Sequence, residues 1–131
     1  MKKPLIISLV SLGLVSGSVF AENYQTSKHN IRITCHSDNN CTYQSWNKPK
    51  QIGQGKPDLE IRNGNFQSVN INSGACSVGN YGFQKGNLVI IIGWGLNRSD
   101  KECFVKPPPK NVNGELTVYI NRKKKDHYWV Y

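Results

Sequence analysis

Four consecutive basic residues, Arg122, Lys123, Lys124 and Lys125, stand directly before Asp126, His127, Tyr128, Trp129, Val130 and Tyr131. Positive charge beside aromatic rings can hold phosphate or carboxylate groups on ammonium heads while bases or sugars stack on the ring faces. In an extended strand His127, Trp129 and Tyr131 share one face and Tyr128 and Val130 the other, so at least one aromatic set can belong to the core. The candidate ligand-binding residues are therefore Arg122, Lys123, Lys124, Lys125, His127, Trp129 and Tyr131. The plain alternative is a solvated hairpin tip next to a core strand.

Acid–base chemistry has three candidates, His36, His127 and Asp126, and two histidines with a lysine would suit a small secreted nuclease. The familiar nucleophile arrangements are missing: there is no Gly-x-Ser-x-Gly elbow, no His-Glu-x-x-His pattern and no glycine loop leading to a phosphate-binding lysine. No catalytic residue is assigned, and neither a metal nor another cofactor is expected. A second surface, around Trp46, Tyr81, Trp94 and Asn97, has the residue types of a sugar or protein contact, although tryptophan and tyrosine are also ordinary core residues.

The N-terminus has the three-part layout of a secretory signal, with Lys2 and Lys3, an apolar stretch from Pro4 to about Val15, and then small residues. Val19 and Ala21 fit the small-residue positions of a cleavage site after Ala21. A spanning helix needs roughly 20 apolar residues, whereas this run is broken by Ser8, Ser11, Gly13, Ser16, Gly17 and Ser18. Residues 1–21 are thus expected to be a cleaved leader and 22–131 a single exported β domain, periplasmic or secreted, with no membrane span. Loss of Lys2 and Lys3 leaves fifteen basic residues against eight acidic ones. That excess attracts anionic partners, and it also serves plain solubility.

Export places Cys35, Cys41, Cys76 and Cys103 where disulfides persist. Three pairings are possible on paper. Spacing alone does not choose among them, but the polar stretch His36 to Asn40 reads as a hairpin loop that would bring Cys35 to Cys41, which favours Cys35–Cys41 with Cys76–Cys103. Bridged cysteines provide no thiol nucleophile, and neither pair has the spacing of a zinc knuckle.

These residues must be positioned by strands, because the chain has no sustained helical period and turn residues divide it at short intervals. Asn30–Cys35 alternates with Ile31, Ile33 and Cys35 on one face, and Cys41–Trp46 follows as its hairpin partner. Asp58–Arg62 and Asn65–Ile71 flank Asn63-Gly64, the strongest two-residue hairpin signal in the chain, with a bulge expected near Gln67 or Ser68. Tyr81–Gln84 and Asn87–Trp94 flank Lys85-Gly86, and the run Leu88–Ile92 reads as a central strand covered on both faces. Glu115–Asn121 and His127–Tyr131 come last, joined by a loop from Arg122 to Asp126. Pro107, Pro108 and Pro109 form a stiff connector. The expected fold is all-β, a small antiparallel barrel or sandwich of about seven to eight short strands stapled by two disulfides.

A leader followed by a small cysteine-bridged β domain resembles the layout of periplasmic lysozyme inhibitors in a general way. Membership does not follow, because Ser73-Gly74-Ala75-Cys76-Ser77 is too generic to stand for their inhibitory loop. A basic inhibitor would also meet a typically basic lysozyme with like-charge repulsion. The expected function is a non-enzymatic binding protein of the bacterial envelope, basic and disulfide-stabilised. It would recognise an anionic or glycan-bearing ligand, or an envelope or foreign protein in an inhibitor- or immunity-like way. Nucleic acid is a possible ligand, and a small secreted hydrolase, most plausibly a nuclease, is the alternative.

Overall fold

The computed structural model describes residues 19–69 and 75–131. The residues read as the leader lie outside the described part as far as residue 18, as do Ile71 and the Ser73-Gly74 pair. Eight strands follow one another: β1 (Phe20–Gln25), β2 (His29–Ser37), β3 (Asn40–Asn47), β4 (Leu59–Ser68), β5 (Ser77–Lys85), β6 (Leu88–Leu96), β7 (Gly114–Ile120) and β8 (Lys123–Val130). All neighbours are antiparallel and sheet order equals chain order, so the fold is a meander curled into a half-barrel. The ends of the sheet approach each other where the Tyr131 N–H donates to the Gln25 carbonyl at 2.9 Å and the His29 ring meets Tyr128 edge-on at 5.2 Å. Among the described residues no helix is long and apolar enough to cross a membrane.

Alternation places Ile31 and Ile33 of β2, Tyr43 of β3, Ile61 of β4, Tyr81 and Phe83 of β5, Ile90 and Ile92 of β6, and Leu116 and Val130 of β7 and β8 in one interior cluster. Cys35 and Cys41 face each other directly across the β2–β3 ladder and are bridged. The Cys76–Cys103 bridge ties the segment between β6 and β7 to the start of β5. That segment covers a smaller cluster of Leu96, Phe104 and Val112, with Cys103 and Trp129 beside it. Arg98 fixes its far side by donating to the carbonyls of Pro108 (2.7 Å), Pro109 (2.8 Å) and Val112.

Several local expectations are corrected. Asn63-Gly64 is not a hairpin turn: β4 runs straight through it, and Asn63, at φ 61°, marks an extra residue opposite Cys41–Tyr43. The bulge falls here, and pairing from Asn65 to Ser68 is regular where the bulge had been expected. At this corner β4 leaves β3 and begins to pair with β5. β6 is not covered on both faces, because Ile91 is 39% exposed on its outer side. The connection between β7 and β8 is only Asn121-Arg122, with φ of 52° and 67°, a two-residue turn of the kind that matches strand twist; Lys123, Lys124, Lys125 and Asp126 are strand residues. Finally, β1 has no hydrophobic alternation to announce it and exists through its six pairs with β2. A chain beginning at Glu22 keeps four of these, including the one that carries buried Tyr24.

Candidate ligand-binding face

The outer face of β7–β8 is set by one irregularity. Thr117 pairs with His127 and Val118 with Asp126, but Tyr119 pairs with Lys124, so Lys125 is an extra residue in β8. A bulge shifts the alternation by one, which is a common means of re-aiming a side chain. Glu115, Thr117 and Tyr119 of β7 therefore stand beside Trp129, His127 and Lys124 respectively. Across β6 the same rows continue through Gly93, Ile91 and Val89. Without the bulge Lys124 would take the opposite parity.

This face holds a cleft of about 360 Å³ whose walls include Asn80, Glu115, Thr117, Tyr119 and Lys124, with Ile91 and Gly93 along its floor. The Ser77 hydroxyl donates to the Asn80 amide oxygen at 2.8 Å, so the amide NH2 is what Asn80 has left to offer a ligand. A Cβ on Gly93 would come within 2.8 Å of the Ser77 Oγ, so the glycine is needed for that packing. His127 Nε2 lies 2.8 Å from Glu115 Oε1, both side chains being about a quarter exposed. Because a carboxylate only accepts, this contact orients the imidazole with its Nε2 proton toward Glu115.

The lysine run also acquires neighbours. The Asn87 side-chain amide donates to the Asn121 side-chain oxygen at 2.7 Å, and the Asn121 N–H donates to the Asn87 carbonyl at 3.1 Å. The β5–β6 and β7–β8 turns are thereby fastened together, which brings Lys85 to the same end of the sheet as Arg122 and Lys123. Arg62 and Lys85 share a second hollow on that end. The adjoining acid, Glu60, is already engaged: the Gln44 amide donates to it at 2.7 Å and the Arg62 guanidinium at 2.9 Å. Those two contacts, the Gln44 bond first, hold its carboxyl below the usual range. Arg62, Lys85, Asn80 and Glu115 were not among the candidates read from sequence. Their one sequence signal is indirect, since alternate turns of a meander share an end and alternate residues of paired strands share a face.

The candidate residues divide between places. Arg122, Lys123 and Lys124 join the basic end, and Lys124 and His127 share the outer face. Trp129 is half-buried, edge-on to His127 at 4.7 Å and tilted against Phe104 at 6.3 Å, beneath the segment between β6 and β7. Tyr131 sits apart, beside Gln25 and Asn23 of β1. Of the acid–base candidates, Asp126 lies on the parity of Tyr128 and acts electrostatically on His29. His36 sits seven residues along β2 from His29, roughly 23 Å at the rise of an extended chain. The surface around Trp46, Tyr81 and Trp94 is not open. Trp46 is buried with its indole N–H donating to the Gly55 carbonyl at 3.1 Å, Tyr81 is buried, and Trp94 packs edge-on to Tyr24 at 5.0 Å. Among the described residues no group of three or more His, Cys, Asp or Glu could hold a metal ion. Comparison with protein-family models, with curated proteins and with solved structures finds no match to this chain.

Proposed function

We propose that this is an exported, non-enzymatic binding protein that takes an anionic or glycan-bearing partner on its basic end. The observation that carries the reading is the Asn87–Asn121 clasp, which gathers Lys85, Arg122, Lys123 and Lys124 at one end of a rigid sheet, beside Arg62. Like charges held together repel, and they contribute nothing to this fold. A partner bearing several anionic groups relieves that repulsion, and steering by the positive field speeds its encounter. Two disulfides in a chain of this size suit an oxidising compartment outside the cytoplasm, in the periplasm or beyond the cell. A protein partner with an acidic surface would meet the same end.

A small secreted hydrolase acting on phosphodiesters is the second reading, and the Glu115–His127 pair beside Lys124 favours it. A carboxylate base, an imidazole acid and a cation are the groups such a cleavage uses. Incubation with labelled RNA, DNA and peptidoglycan separates the two. Saturable binding without product is the expected result, and turnover lost on His127→Ala would replace the binding reading with the enzymatic one. Changing Lys123, Lys124 and Lys125 together to Gln should leave stability within about 0.5 kcal/mol of the parent. Binding should weaken, and if the partner is a nucleic acid the logarithmic salt slope should flatten by roughly 0.7 to 0.9 per lost contact.

A further inference from the structure

We infer that the cleft on the outer face of β5–β8 takes a carboxylate-bearing sugar unit, with its carboxylate on Lys124 and its hydroxyls toward Glu115. The inference rests on the basic-end reading and deepens it, since Lys124 belongs to both. The two ends of the cleft differ in charge. Lys124 pairs with Tyr119 at one end, and Glu115, bonded to His127, stands at the other. Glu115 and Tyr119 are four positions apart on β7, roughly 13 Å at the rise of a strand, part of which the long lysine side chain spans.

A ligand that fits must be anionic at one end only. A chain of phosphates places charge at every unit and meets the Glu115 carboxylate with repulsion. A sugar carries hydroxyls that donate to a carboxylate and accept from an amide, and those are the groups Glu115 and Asn80 present. Thr117 lies between Glu115 and Tyr119 on the same face of β7 and offers a hydroxyl that both donates and accepts. Ile91, 39% exposed on the floor, and the half-buried Tyr119 ring supply the apolar surface on which a sugar's C–H face rests. The volume, about 360 Å³, is at the small end of ligand sites and suits one or two linked units.

The test uses the full chain and three probes: a disaccharide of one hexuronic acid linked to one neutral hexose, the neutral hexose disaccharide, and inorganic tripolyphosphate. Affinities are read by calorimetry. The uronate should bind more tightly than the neutral sugar. Glu115→Gln retains an acceptor for His127 but loses the charge, so it should weaken the uronate roughly tenfold, the range for a charge-assisted hydrogen bond, while tightening tripolyphosphate. Thr117→Val gives an independent reading: weaker uronate, unchanged tripolyphosphate. If Glu115→Gln tightens both anions or leaves the uronate unchanged, the sugar assignment is overturned. The basic-end reading then survives provided the triple lysine-to-glutamine variant still loses both. No binding of either anion by the parent protein would overturn both.

Discussion

Gly64 of β4 lies against the ring of Phe83 on β5. A Cβ on Gly64 would overlap that ring and stand 2.7 Å from the Gly82 carbonyl oxygen. Phe83 is a buried core residue and the carbonyl is backbone, so neither can yield cheaply. This contact is where β4 turns from one partner to the other, and it explains why a residue pair with strong turn character is built into a strand.

Gly64→Ala should therefore destabilise by about 3 kcal/mol or more, at the upper end of overpacking costs. Gly86→Ala is the matched control. Gly86 has a φ of 63° and open space around it, so alanine there suffers only the left-handed backbone penalty, about 1 to 2 kcal/mol. Denaturant midpoints of the two variants check the ordering, and equal losses would show that the Phe83 contact is not what demands glycine.

The segment between β6 and β7 should loosen when either of its restraints is removed. Breaking the Cys76–Cys103 bridge, whose cysteines lie 27 residues apart, should cost about 3.5 kcal/mol in the chain-entropy account, against about 2 for Cys35–Cys41, six residues apart. Arg98→Ala removes the guanidinium from the Pro108 and Val112 carbonyls and leaves the Pro109 carbonyl only the Val112 N–H, and it should cost about 2 kcal/mol. Arg98→Lys should recover little of this, because an ammonium lacks the planar fork that reaches all three. Limited proteolysis after Lys101 and Lys110 reads the loosening directly.

β8 pairs with β7 alone, so Lys123 to Lys125 lie on a strand edge. Edge lysines discourage pairing between copies, because a second strand laid alongside must bury or crowd them. Replacing Lys123 and Lys125 with Thr should raise self-association, measured by sedimentation at increasing protein concentration. An unchanged sedimentation profile would assign the lysines to ligand binding alone.

Acid should destabilise the fold in two stages. Burial, with Lys28 next in effect, holds the His29 imidazole below its ordinary value of 6.5. The unfolded chain therefore takes up a proton first, and stability present in full above 6.5 falls as the pH drops below it. Glu60 and Asp58 are likewise held below their ordinary values, Glu60 by the Gln44 amide first and Asp58 by the Asn47 backbone N–H and then Lys50. Their contribution is present above the carboxylate range and is lost as the pH falls through the lower folded values. Burial pushes the Tyr43 phenol up to about 12, so on the alkaline side stability should decline between pH 10 and 12. Melting temperatures across this range check each window, and His29→Gln should abolish the first stage while leaving the second.

The legible parts of the fold were those carried by nearby residues. Ile31, Ile33 and Cys35 alternate on one face, and Cys41 follows after a short polar stretch, so the β2–β3 hairpin and its bridge could be read together. The Cys76–Cys103 bridge was favoured only through that pair, because 27 residues of separation carry no local signal of their own. Asn63-Gly64 misled because its turn chemistry is local, while its role is to admit Phe83 from another strand. β1 was invisible because pairing with β2, rather than any pattern of its own, makes it a strand.

The sequence by itself determined the all-β class and the presence of a basic run beside aromatic residues, since each depends on residue type and short spacing; it favoured the disulfide pairing that the structure contains. Tertiary structure decided which residues meet across strands. The unpaired Lys125 turns Lys124 to the face of Tyr119, the Asn87–Asn121 clasp brings Lys85 to the lysine run, and Trp129 goes under the segment pinned by Arg98. Side-chain parity survives only as far as the next bulge, and a bulge is a property of two strands pairing, not of one strand's sequence.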